Sequence, residues 1–198
     1  MSDKATEMGD VSSIRQSKQT ARSKIAAADQ ADHAERVATR AHSIAALRVA
    51  NTVAAYLAMP GELDPKATLA RLTTKIYMPV IGPQFTMAFR LFSSGFPVVR
   101  NSFGTDEPPA NAPSVAAEDL DVVLVPLVAF DYRGFRIGMG AGYYDRAFEF
   151  RKVTAQPPLL VGIAHSVQHV PLVSEQRWDV PLDYVVTETD LHGPFPQQ

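Results

Sequence analysis

The sequence predicts an α/β protein, a sheet layered with helices. Three observations carry that prediction. Asp121 to Val128 (DVVLVPLV) and Leu159 to Ala164 (LLVGIA) are short and almost wholly apolar, as strands become when helices cover both faces of their sheet. Such strands alternate along the chain with helical patterns. Between the two lies a glycine-rich turn, RIGMGAGYYDR from 136 to 146, where strand gives way to helix.

The elements follow in order. Ile14 to Leu47 contains neither Gly nor Pro, and Ala34, Val37, Ala41 and Ile44 recur at three- and four-residue steps, so two helices or one bent helix are expected. Asn51 to Leu57 (NTVAAYL) reads as a strand stopped by Pro60-Gly61. A short helix is expected from Asp64 to Thr73, with Asp64 as N-cap and Pro65 in its first turn. Lys75 to Ile81 and Thr86 to Phe92 read as further strands, and Asn111 to Asp119 as a polar connector. Asp183 to Thr187 closes the sheet, and the tail HGPFPQQ is expected to be loose.

Composition narrows the function classes. The chain has 198 residues, 46% apolar and 20% charged, with a formal net charge of -2. This suits one domain, expected over residues 13–198 behind a disordered leader at 1–12. The charge gives no global attraction to nucleic acid or to an anionic membrane. No cysteine is present, which excludes disulfides, thiolate metal sites and cysteine nucleophiles. The polar start, MSDKATEMGDVSS, lacks the apolar core of a secretory signal. The strongest apolar run, Val122 to Phe130, is broken by Pro126 and falls far short of the about 20 residues a spanning helix needs. A cytoplasmic protein is expected.

The glycine-rich turn carries the chemistry. Gly138, Gly140 and Gly142 alternate with Met139 and Ala141. Glycines so placed let the backbone approach a ligand with no Cβ between. Tyr144, Ala147, Phe148 and Phe150 then mark a helix, whose N-terminus would favour phosphate. The turn fits neither the Rossmann nor the Walker A pattern. Arg136 enters it, and Asp145 and Arg146 leave it. Arginine can clamp phosphate bidentately, and a carboxylate can hold Mg²⁺ beside it. By spacing alone, a tight strand-to-helix turn explains the glycines equally well.

The run VPLVAFDYRGFRIGMGAGYYD, ending at Asp145, resembles the signature of the 5-formyltetrahydrofolate cyclo-ligase (methenyltetrahydrofolate synthetase) family, with Ile137 at a position where leucine is usual. The resemblance continues in order through Tyr56 to Asp64 (YLAMPGELD), Phe103 to Pro108 (FGTDEP), Val161 to Gln168 (VGIAHSVQ) and Trp178 to Glu188 (WDVPLDYVVTE). It implies a three-layer α/β/α fold with a mostly parallel central sheet. It also implies an ATP- and Mg²⁺-dependent conversion of 5-formyltetrahydrofolate to 5,10-methenyltetrahydrofolate, with release of ADP and phosphate.

By the same resemblance Arg15, Arg136, Ile137, Gly138, Met139, Gly140, Ala141, Gly142, Tyr143 and Tyr144 line ATP, and Asp145 and Asp179 hold the metal. Leu57, Glu62 and the 139–143 stretch contact the folate, and Glu62, Tyr143 and Arg136 are the expected catalytic residues. The expected form is a monomer whose partners are 5-formyltetrahydrofolate and ATP. The chain departs from the family at its N-terminal Lys-x-x-x-Arg motif. With Arg15 as the arginine, the lysine position holds Val11; pairing Lys18 with Arg22 restores both but shortens the path to Glu62. Arg15 is preferred because Arg22 then occupies the helix's second basic position.

Other readings compete. Val11 motivates a non-catalytic folate- or nucleotide-binding homologue with a regulatory role. A nucleic-acid-binding protein using the basic first helix is disfavoured by Asp29, Asp32 and Glu35 nearby. Glu62 after Pro60-Gly61 reads by itself as a turn carboxylate, and Asp179 as a turn cap before Pro181. His165 and His169 lie four apart but show no third ligand, so a solvated loop is expected there rather than zinc. The role of Glu107 stays open.

Overall fold

The structure is a computed structural model that describes residues 10–93, 97–100, 104, 106–154 and 156–196. Most of the expected leader, Phe103 and Thr105 of the FGTDEP segment, and the last two residues lie outside the described residues. Five helices form: α1 (Val11–Ser23), α2 (Ala27–Ala41), α3 (Ala45–Val49), α4 (Lys66–Leu69) and α5 (Tyr143–Ala147). The strands are β1 (Thr52–Ala54), β2 (Lys75–Ile81), β3 (Met87–Phe92), β4 (Val99–Arg100), β5 (Asp106–Glu107), β6 (Ser114–Val115), β7 (Val122–Pro126), β8 (Ala129–Phe130), β9 (Arg136–Ile137), β10 (Leu159–Ile163), β11 (Tyr184–Val186) and β12 (Leu191–His192).

Eight strands make the central sheet in the order β12-β11-β10-β7-β1-β2-β3-β6. The five inner strands, β11 to β2, pair in parallel, and β12, β3 and β6 flank them antiparallel. The sheet is therefore mostly parallel, as expected. Strand alternation sends Val122, Leu124, Leu159, Val161 and Ile163 to one face, where Val37, Ala41, Ile44 and Leu47 of α2 and α3 cover them. Val123, Val125 and Leu160 point the other way, onto Phe89, Phe148 and Leu182. Neither face of β7 or β10 meets water, which is why both strands are apolar throughout.

The chain leaves β1 through α4 to β2 on one side, and leaves β7 through α5 to β10 on the other. The two crossovers diverge between β1 and β7, and such a switch point opens a crevice beyond the carboxyl ends of its strands.

Several expectations change in detail. The first helix begins at Val11, because Val11 and Ile14 pack on Ile137, Val170 and Val173. The helix after Pro65 is only Lys66–Leu69, with Pro65 and not Asp64 as its N-cap, and Asp64 accepts the Lys66 amide from one residue further out at 3.0 Å. The polar connector contains β6, which completes the sheet edge. The tail is tied down: Phe195 is buried in the second core and its amide donates to Asp183 at 2.9 Å. The His165 segment is no solvated loop either. His165 is fully buried, Ser166–Gln168 forms a 3-10 turn, and Gln168 donates to the carbonyls of Leu127 and Val128. His165 and His169 form no metal-binding pair, since His169 turns away to stack on Tyr132 at 3.9 Å between ring centroids.

Two buried polar groups fix the chain around the site. Asp131 accepts from the amides of Arg133, Phe135 and Val173 and from the Arg133 guanidinium, shaping the turn from β8 into β9. Gly134 in that turn has φ +88°, and a Cβ there would meet the Leu182 carbonyl at 2.8 Å. Asp183 pairs with Arg151 at 3.0 Å and accepts the Leu160 amide at 2.6 Å, all out of water.

Removing one partner of a buried pair leaves a charge without solvent or counter-ion. Asp183→Ala is expected to lower unfolding free energy by about 3–5 kcal/mol, measured by urea denaturation. A second expectation concerns acid. Burial, then the charges of His192 and Lys18, hold His169 below the usual histidine range, and burial does the same to His192. The folded state thus resists protons that the unfolded chain accepts. Stability is full above the ordinary histidine pKa of about 6.5 and falls as pH drops below it. Denaturation at pH 7.5 and 5.0 should show the loss, and His169→Phe should reduce it.

Candidate active site

The crevice beyond β1 and β7 collects the residues singled out in the sequence. β9 delivers Arg136, whose guanidinium donates to the Val180 carbonyl at 2.5 Å and to Asp145 Oδ1 at 2.8 Å. Asp145 Oδ1 also accepts the Val180 amide at 3.2 Å. The backbone of Asp179-Val180 is thereby drawn against the start of α5. Burial, opposed by an amide bond from Gln176 and reinforced by the Asp145 charge, raises the Asp179 carboxyl above its usual range. Asp145 and Asp179 are thus neighbours although 34 residues separate them. Asp145 Oδ2 and Asp179 Oδ1 make no hydrogen bond among the described residues. The chain therefore brings two carboxylate-bearing segments together, each with a free oxygen, and carboxylate oxygens are the donors a hard divalent cation takes.

The glycine turn is polarised by what its carbonyls do. Gly138 O accepts from Arg15 Nε at 2.9 Å, Ala141 O from the Arg146 guanidinium, and Gly142 O from the Arg146 amide. The amides of Met139, Gly140, Ala141 and Gly142 donate to no protein acceptor among the described residues. Gly140 and Gly142 have φ of +108° and +66°, which non-glycine residues avoid. Successive free amides in such a turn form an anion-binding concavity. The helix marked by Tyr144 to Phe150 is short. α5 has five residues before a 3-10 turn, so the amides of the turn, more than a helix dipole, set its affinity for anions.

The other wall comes from α1 and the turn after β1. Arg22, only 5% exposed, donates to the Leu127 carbonyl at 3.2 Å and meets Glu62 Oε1 at 3.4 Å. Glu62 Oε2 accepts the Met59 amide at 3.1 Å, so the carboxylate is aimed rather than loose. Leu57 packs at the edge of the first core just before it. Lys18, one turn earlier on α1, donates to the carbonyls of Val167 and His169. Burial, then Glu62, push the Tyr144 hydroxyl above its usual range, with Arg136 opposing. α1 joins the two walls into one site, with Arg15 on the Gly138 carbonyl and Arg22 on Glu62.

Most of the predicted residues come together: Arg15, Arg136, the 138–142 turn, Tyr144, Asp145 and Asp179 on one side, Glu62 and Leu57 on the other. Tyr143 lies at the rim, its ring 5.9 Å from Phe85. Phe85 and Arg22 were missed. Phe85 is exposed, holds φ +60°, and has the Arg146 guanidinium 4.8 Å above its ring; no local pattern signals it. Arg22 entered the sequence reading as the helix's second basic position and as the arginine of the alternative Lys18–Arg22 register, and nothing along α1 shows that it would be buried.

Comparison with known proteins agrees with this geometry. Residues 7–188 match the model of the 5-formyltetrahydrofolate cyclo-ligase family. The chain is 35% identical over 170 residues to the 5-formyltetrahydrofolate cyclo-ligase of Escherichia coli K12, covering 82% of this chain and 91% of that one. It is 34% identical over 168 residues to the Haemophilus influenzae enzyme of the same name, covering 81% and 88%. Among solved structures, Aquifex aeolicus 5,10-methenyltetrahydrofolate synthetase superposes with a TM-score of 0.79 at 26% identity, over 95% of this chain and 94% of that one. An arginine-flanked glycine turn, a carboxylate pair and an aimed glutamate at one switch point thus sit in a chain that belongs to the 5-formyltetrahydrofolate cyclo-ligase family.

Proposed function

We propose that this protein closes 5-formyltetrahydrofolate to 5,10-methenyltetrahydrofolate at the expense of ATP, which leaves as ADP and phosphate. The observation that carries the ATP half is the run of four unpaired amides at 139–142, framed by Arg15, Arg136 and the Asp145–Asp179 pair. Family membership supports the folate half.

In this reading the γ-phosphoryl group passes to the formyl oxygen, and the bond to the β-phosphate oxygen breaks. The N10 lone pair then attacks the formyl carbon, N10 loses its proton, and the C–O bond breaks with phosphate departing. An amide oxygen is a poor leaving group, and phosphorylation makes it a good one. The chain's task is positioning and charge stabilisation. The turn amides and Arg136 hold the phosphates where negative charge grows. Asp145 and Asp179 would hold a magnesium ion through their free oxygens, which would supply further positive charge there. Glu62, fixed by Arg22 and the Met59 amide, orients the pterin nitrogens, with Leu57 and the 139–143 stretch against the ring system. Tyr143 at the rim closes over both substrates. We place the enzyme in the cytoplasm as a monomer.

Purified protein given 5-formyltetrahydrofolate, ATP and Mg²⁺ should develop the methenyl-folate absorbance band; folded protein that gives no band, yet binds folate in calorimetry, would favour the regulatory reading. Asp145→Asn should lower kcat by about 10²–10³-fold, the usual effect of losing one electrostatic stabiliser, while circular dichroism stays unchanged. Glu62→Gln should act mainly on folate, raising its KM more than that of ATP in initial-rate measurements.

A further inference from the structure

His165 and Glu188 each stand two residues beyond the end of a parallel strand, β10 and β11, on the carboxyl edge of the sheet. There they meet His33 of α2. His33 Nδ1 lies 2.9 Å from His165 Nδ1 and 3.9 Å from Glu188 Oε2, and the three donor atoms all fall within 4.8 Å of one another. No other group of three such side chains is gathered this closely among the described residues. The proposed reaction uses none of the three.

The geometry points to a second metal site, in which His33, His165 and Glu188 hold a divalent transition ion of the zinc class and clamp α2 to the ends of β10 and β11. Ligands of a tetrahedral ion bound at about 2.0–2.1 Å stand about 3.3 Å apart, so adjustments on the order of an ångström complete the site. Two imidazoles and one carboxylate suit zinc better than magnesium or calcium, which take oxygen alone. His165 is fully buried, and its Nδ1 is the ring nitrogen turned to His33, so Nδ1 is its ligating nitrogen. Glu188 is braced from outside: Ser166 donates to it through its amide at 2.8 Å and through its hydroxyl. Such supporting bonds orient a metal-binding carboxylate. The His33 side chain is 20% exposed, which leaves a route for the ion and a place for water as fourth ligand.

The test uses full-length protein, stripped with chelator and titrated with zinc chloride under saturating Mg²⁺. Running it in both the parent and Asp145→Asn keeps the carboxylate pair from being read as the new site. A single equivalent of zinc is expected in both, with a raised Tm and, with cobalt in its place, the visible bands of a tetrahedral ion. His33→Ala, on the solvent side, should lose that equivalent and keep its fold; should it unfold, Glu188→Gln gives the same reading. Ser166→Ala should bind zinc about 10–100-fold more weakly. No equivalent retained by the parent protein, or zinc bound unchanged by His33→Ala and Glu188→Gln, overturns the proposal.

Discussion

The site depends on the Arg22 guanidinium. It is almost wholly removed from water, and it spans the Leu127 carbonyl past the end of β7 and the Glu62 carboxylate past the end of β1. A charge so placed must be paired and hydrogen-bonded, because its desolvation is costly. The planar fork of arginine reaches two acceptors at once, which the point charge of a lysine does less well. Arg22 therefore does three things together. It seats α1 over the sheet, it fixes the direction of Glu62, and it ties the two strands whose divergence creates the crevice. Gln168 reinforces the same point by donating to Leu127 O as well.

With α1 seated, the remaining contacts follow as consequences. Lys18 reaches the 167–169 carbonyls, and Arg15 reaches Gly138 O at the start of the glycine turn. The basic residues on one helix are thus committed to main-chain oxygens and to Glu62, not to solvent. Arg15 and Arg146 occupy the Gly138 and Ala141 carbonyls, and the amides of 139–142 donate to no protein acceptor among the described residues. Those amides and the guanidinium groups of Arg15, Arg136 and Arg146 gather positive groups at the turn even though the chain as a whole is slightly acidic. The missing motif lysine at Val11 has a local explanation in this frame: Val11 packs with Ile14 on the third small core, a contact that a charged side chain would not make.

Further order around the site comes from Asp131 and Asp183. Each is buried and accepts several donors. Asp131 sets the turn that delivers Arg136, and Asp183 anchors the segment that follows the glycine turn and α5 through Arg151. Both lie within the segments that carry the family resemblance, so part of that signature is explained by turn geometry and not by contact with substrate.

The sequence by itself determined the layered α/β class, the fully buried strands β7 and β10, and the glycine turn, because periodicity and backbone freedom are local properties of the chain. Motif order placed Glu62, Arg136 and Asp145 in one site before any distance was known. Only the tertiary structure decided which charges meet. The nearness of Asp179 to Asp145 rests on Arg136 and Val180, the burial of Arg22 on two loops from different strands, and the meeting of His33 with His165 and Glu188 on how α2 crosses the sheet. The glycine turn shows the division most clearly: its residues announce a close approach to a ligand, but only the fold brings Arg15, 123 residues away, onto its Gly138 carbonyl. Such pairings link positions far apart in the chain, and no local pattern encodes them.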